Sequence, residues 1–89
     1  MRVVLTVIGQ DKVGIIAGVS NTLAECNINI ININQNIMQG FFNMVLIADM
    51  SEATVSLQEA KNKVHALGER SGVEIRMQSE DIFKAMHRV

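Results

Sequence analysis

The sequence predicts an α+β fold: a four-stranded antiparallel sheet with two helices on one face and a short helix at the C-terminus. Three observations predict it. The segments alternate as strand, helix, strand, strand, helix, strand. The two helical segments repeat one apolar spacing (i, i+3, i+7, i+10), 41 positions apart, so the chain reads as two split βαβ halves. Strands one and three are apolar on both sides, as central strands are.

Residues 3–8 are rich in β-branched residues and apolar on both faces, which reads as a buried first strand. The first helix follows, with Ile16, Val19, Leu23 and Cys26 on one stripe. Gly14 and Gly18 each weaken a helix interior by up to ~1 kcal/mol, so they belong near its start or in close contact with the sheet. Residues 27–38, NINIININQNIM, alternate asparagine with isoleucine, and the phase slips at Ile30-Ile31. Ile28 and Ile30 then face one way, and Ile31, Ile33 and Ile37 the other; a β-bulge, or apolar cover on both faces, would explain the slip. Gln39-Gly40 marks a tight turn, and residues 41–50 form another doubly apolar strand.

Ser56 and Glu59 form a capping box that opens the second helix, with Leu57, Ala60, Val64 and Leu67 as its stripe. Gly72 suits a left-handed cap at its end. In the last strand Val73, Ile75 and Met77 point inward and Glu74 and Arg76 outward. The tail reads as a short amphipathic helix capped by Ser79, with Ile82, Phe83, Met86 and Val89 on one side. The arrangement is ferredoxin-like βαββαβ, with strands one and three central and the Asn-rich strand at an edge.

Two helices cover one sheet face only. The second face, apolar in strands one and three, needs shelter from the tail helix or from a second subunit. An open edge strand invites pairing as well. These two needs predict a homodimer, for which sheets continued edge to edge are one arrangement.

Eighty-nine residues make one domain, 1–89, which buries roughly 60–65% of its unfolded surface; a partner subunit would add to a thin stability margin. A net charge of −1 gives no electrostatic basis for binding nucleic acid or an anionic membrane. The first apolar run is too short for a signal peptide and lacks a cleavage site, and nothing approaches the roughly 20 apolar residues of a membrane span. A single cysteine, Cys26, forms no internal disulfide and fits a reducing cytoplasm, where it reads as a small buried residue.

The chemistry concentrates at GQDKVGI, residues 9–15, where strand one turns into helix one. Backbone N–H groups and a helix N-terminus at that corner attract an anion such as a carboxylate. Asp11 can cap the helix or hold an ammonium group, and Gly14 removes a side chain where a ligand would approach. An α-amino acid carries both charges. Ordinary capping by Asp11 beside a solvated Lys12 explains the same residues without a ligand.

The run GQDKVGIIAGVSNTLAECNINI, followed by an Asn-rich strand, resembles the ACT domain, a small βαββαβ regulatory module. It is most similar to the D-[KR]-x-G-[IL] branch found in glycine-cleavage regulators, formyltetrahydrofolate deformylases and some phosphoserine phosphatases. The ending EDIFKAMHRV further resembles the small stand-alone bacterial ACT proteins called UPF0237. The resemblance implies amino-acid binding at a subunit interface, without catalysis or cofactor. Gln10, Asp11, Lys12, Val13, Gly14 and Ile15 of one subunit would face Asn27, Asn29 and a further candidate, Asn32, of its neighbour. Many relatives carry proline where Val13 stands, so this loop is less rigid than theirs.

Other functions of similar topologies need residues that the sequence lacks. RNA-recognition modules stack bases on strand aromatics, and here there are three phenylalanines and no tyrosine or tryptophan. Copper chaperones need C-x-x-C, and acylphosphatases need an arginine in the first loop, where this chain offers Lys12. A P-loop would place Lys and Ser/Thr where Ile15 and Ile16 stand. His65 and His87 sit on separate elements without an acidic cluster, His65 among charged residues and facing solvent. The methionines at 38, 44, 50, 77 and 86 read as core and interface filler or as an adaptable contact surface for a protein partner.

Overall fold

The doubly apolar strands take the centre of the sheet. The computed structural model describes residues 1–10 and 14–86. In chain order they form β1 (Arg2–Gln10), α1 (Ile15–Glu25), β2 (Asn29–Met38), β3 (Phe41–Asp49), α2 (Leu57–Ser71), β4 (Glu74–Ser79) and α3 (Glu80–Met86). All pairings are antiparallel, in the order β2-β3-β1-β4. The fold is the predicted one, with β2 and β4 at the edges.

The register assigns every residue a face. Val3, Leu5 and Val7 lie beside Ala48, Leu46 and Met44, and all six are fully buried under the helices. Val19 and Leu23 of α1 and Ala60 and Val64 of α2 close this core, together with Val73, Ile75 and Met77. Each fully buried large apolar side chain contributes roughly 1.5–3 kcal/mol. Cys26 is part of the same core. On α1 the inward residue of the first turn is Ile15, and Ile16 packs only at the margin. Gly18 stands against Leu67 of α2, where a Cβ would come within 3.3 Å, so this glycine serves helix–helix packing and not contact with the sheet.

The local signals for the helices hold. Ser56 Oγ accepts the Glu59 N–H at 3.2 Å, and Gly72 closes α2 in the left-handed conformation. Ser79 Oγ accepts the Ile82 N–H at 3.3 Å, at the start of α3. In the β2–β3 turn Gln39 joins Gly40 at positive φ, so both corner residues are left-handed, as a two-residue hairpin of the primed kind requires.

The irregular phase of β2 is resolved by a bulge between Ile30 and Asn32. Ile31 takes the extra position. Ile33, opposite Leu46, and Ile37, opposite Phe42, therefore return to the helix side with Ile30. This corrects the expectation that Ile33 and Ile37 face away from Ile30. Asn32, Asn34 and Asn36 line the other face. Ile33 and Ile37 nevertheless remain exposed, Ile37 at 58%, because β2 extends past the cover that α1 provides.

The second face is sheltered at one end only. α3 packs against β1 and β4, and Arg2 lies 3.9 Å from Glu80 at its start. Along β1 on this side, Val4 is 4% exposed, Thr6 half-buried and Ile8 41% exposed. Phe41 and Val45 of β3 are also exposed there. His87 and Val89, assigned above to the tail, lie outside the described residues, as do the side chains of Met38 and Met86.

Candidate functional site

The strand-to-helix corner is built around Gly14. It is the N-cap of α1, at φ +90°, a conformation that L side chains rarely adopt. Its carbonyl accepts the Gly18 N–H at 2.9 Å, while the first N–H groups of α1 have no acceptor within the helix. Among the described residues no side chain caps this end, and no acidic residue occupies its first turn. The corner thus offers N–H donors and the positive end of a helix dipole. Among the described residues a Cβ on Gly14 would meet nothing within 4 Å. Gln10 and Ile15 flank it, exposed and buried respectively; Asp11, Lys12 and Val13 lie outside the described residues.

Asn27 and Asn29 lie at the other end of the sheet. Gln10 pairs with Phe41, whereas Asn29 pairs with Asp49, which in turn pairs with Arg2. The two ends are separated by eight residues of β1, about 26 Å at ~3.3 Å per residue. Asn27 follows the C-cap of α1 at φ 56°. The Asn27 N–H reaches the Ala24 carbonyl at 3.0 Å, and the Ile28 N–H reaches that of Leu23 at 2.9 Å, the Schellman pattern. Its side-chain Nδ2 donates to the Glu52 carbonyl at 2.8 Å, and the Thr54 N–H bonds the Cys26 carbonyl at 2.9 Å. Asn27 therefore already ties the end of α1 to the loop after β3.

This second end holds a recess of about 530 Å3, lined by Ala24, Asn27, Ile28, Asn29, Asp49, Ser51 and Glu52. Asp49 Oδ1 accepts the Ser51 hydroxyl at 2.6 Å and the Ser51 N–H at 3.0 Å. Those two bonds, the hydroxyl first, hold the Asp49 carboxyl below its ordinary value, with the N-terminal ammonium 3.8 Å away assisting. The recess is acidic and the corner is electropositive. The sequence pointed to Asn27 and Asn29 but passed over Asp49, Ser51 and Glu52; the D-M-S spacing of an Asx turn was the available signal. Asn32 does not line the recess and lies farther along β2 on the second face.

Among the described residues no group of three or more His, Cys, Asp or Glu side chains is placed to hold a metal ion. His65 is exposed and pairs with Glu69, one helical turn on, at 2.9 Å. No helix of the described residues is long and apolar enough to cross a membrane.

A βαββαβ sheet with a glycine-capped corner after β1 is the plan of the ACT module, and the ACT domain family model matches residues 1–78. The chain belongs to the ACT domain family. Its full-length relatives are UPF0237 proteins. The one from Listeria innocua is 52% identical over 89 residues, all of both chains. The one from Methanocaldococcus jannaschii is 49% identical over 99% of this chain and 98% of its own. Among solved structures, an ACT domain protein from Streptococcus pneumoniae superposes with a TM-score of 0.82 at 37% identity, over 98% of each chain. A formyltetrahydrofolate deformylase from Pseudomonas syringae gives 0.79 at 26% identity, covering 88% of this chain and 27% of that one.

Proposed function

We propose that the chain, residues 1–89 acting as one module, is a regulatory domain that binds a small amino acid between two copies of itself, without catalysis of its own. The observation that carries this reading is the edge strand β2, whose Ile33 and Ile37 face the helix side yet lie uncovered. Antiparallel pairing of β2 with a second β2 sets Ile33 and Ile37 of each copy against those of the other. It also reverses the neighbour. The start of one α1 then stands beside the end of the other.

That reversal brings unlike half-sites together. The N–H groups at Gly14 receive a carboxylate, and the recess with its ionised Asp49 receives an ammonium group. Asn29 contributes an amide from the strand between them, with Asp11, Lys12 and Val13 completing the loop of the corner. Ligand binding favours the paired form by mass action. A cytoplasmic setting fits the lone buried cysteine.

A thermal-shift screen of the twenty amino acids tests this. At ten times its Kd a ligand adds about 1.4 kcal/mol, or roughly 6–10 °C for a domain of this size. Gly14→Leu is a poor probe of the corner, since φ +90° strains any branched side chain. Gly14→Asn tolerates that conformation and adds a side chain; it should remove the shift while the protein stays folded. A second reading is favoured by the exposed Ile8, Phe41 and Val45: a ligand-independent module that docks a protein through its sheet face. The absence of any stabiliser at millimolar amino acid, with the β2-paired dimer intact, would select it.

A further inference from the structure

The geometry points to a second contact between copies of this chain, at the edge of β4: two β4 strands pair antiparallel about a two-fold axis that passes through Ile75, perpendicular to the sheet. Among the described residues β4 pairs with β1 alone and forms the edge opposite β2. It carries Glu74 and Arg76, exposed, on one side of the strand, and Ile75 and Met77, buried under the helices, on the other. The contact lies at the other edge from the β2 pairing and needs no amino-acid ligand.

Charge selects a second copy and fixes its register. A charge on an edge strand ordinarily keeps another copy away. Here opposite signs stand two residues apart, which turns repulsion into attraction in one register. The helices of both copies lie on one side, so apolar residues must come opposite apolar ones. With Val73 or Met77 at the axis, Glu74 or Arg76 comes opposite an uncharged partner. With Ile75 at the axis, each Glu74 comes opposite the partner's Arg76, about 5 Å between Cβ atoms, and like charges meet only on the longer diagonals. Arg76 already holds its own Glu74 through Nε and Nη2, both at 2.9 Å, which leaves Nη1 for the partner's Glu74.

The other charges of this edge complement one another about the same axis, an isologous arrangement. The groove between α2 and β4 has two halves that share His65, Ile75 and Arg76. Lys61 lines the half beside Met77 and Gln78, and Glu69 lines the half beside Val73 and Glu74. The two-fold therefore lays the Lys61 half of one copy beside the Glu69 half of the other, with His65, bonded to Glu69 at 2.9 Å, near the axis. Glu59, Lys63 and Arg70 of α2 line neither half. On α3, Glu80 lies 3.9 Å from Arg2 and 3.6 Å from Lys84. Asp81 stands past the end of β4, where Gln78 and Ser79 come opposite the uncharged Gly72 and Ser71.

Sedimentation velocity on the full chain at about 5 and about 500 µM tests the contact, with circular dichroism confirming the fold of each variant. Few residues pair and their charges are exposed, so the contact forms by mass action at the higher concentration. There the wild-type mass should be at least twice its value at the lower one. Glu74→Arg and Arg76→Glu each set like charges opposite one another and should each abolish the increase. The exchange variant Glu74→Arg/Arg76→Glu keeps opposite signs in the same register and should regain it. Ile33→Lys/Ile37→Lys should leave the increase intact, whatever the β2 edge contributes to the starting mass. A wild-type mass that does not change, an increase that survives Glu74→Arg and Arg76→Glu, an exchange variant as defective as the singles, or an increase lost in Ile33→Lys/Ile37→Lys would each overturn the proposal.

Discussion

Asparagine at position 27 performs two structural tasks before any ligand is considered. It adopts φ 56° at the end of α1, and its Nδ2 holds the Glu52 carbonyl at 2.8 Å. Replacement by glycine keeps the backbone conformation and removes the amide; replacement by alanine loses both. Thermal denaturation should therefore rank wild type above Asn27→Gly above Asn27→Ala, with Ala about 2 kcal/mol below wild type. Equal stabilities for the Gly and Ala variants would contradict the left-handed assignment. Some residue-scale features were legible from type and spacing alone. Ser56, Gly72 and Ser79 cap where their residue types say they should, because a cap is decided within four residues. The resemblance assigned Asn27 a ligand contact; its bond to the Glu52 carbonyl could not be read from the sequence, because that partner is 25 positions away. The Asp49–Ser51 turn was passed over for a different reason: two polar residues in a loop give no sign of the recess until the loop is placed against β2.

At the scale of elements, β2 shows how one residue decides which face a strand buries. The sequence offered a bulge or two covered faces, and the bulge at Ile31 is what puts Ile33 and Ile37 back on the helix side. Removing Ile31 leaves an unbroken alternation of isoleucine and asparagine from Asn29 to Ile33. The Ile31 deletion should thus fold with every core residue in place and lose about 1 kcal/mol or less in a denaturant melt. A molten or unfolded product would show that the bulge is needed for the sheet itself. The apolar stripes of α1 and α2 were readable because helix period and burial coincide. Ile15 displaced Ile16 at the start of α1 because Gly14, as N-cap, sets where the helical phase begins. The glycine at 18 was placed near the start of its helix correctly, but its neighbour is α2 and not the sheet, a contact that depends on how two helices approach.

For the whole molecule, strand order followed from burial: strands apolar on both sides sit centrally and the Asn-rich strand takes an edge. The separation of the corner from Asn27 and Asn29 did not follow from composition. It emerges only from the register, which sets them at opposite ends of one sheet. The two polar ends, about 26 Å apart in one copy, would become neighbours in the proposed pairing of β2 with a second β2. The most direct measurement is the mass in solution by sedimentation equilibrium at about 5 µM, for the wild type and for Ile33→Lys/Ile37→Lys. Pairing through β2 predicts twice the 9.8 kDa chain mass for the wild type and a folded monomer for the variant. A monomeric wild type, or a dimer indifferent to lysines at both positions, would contradict it.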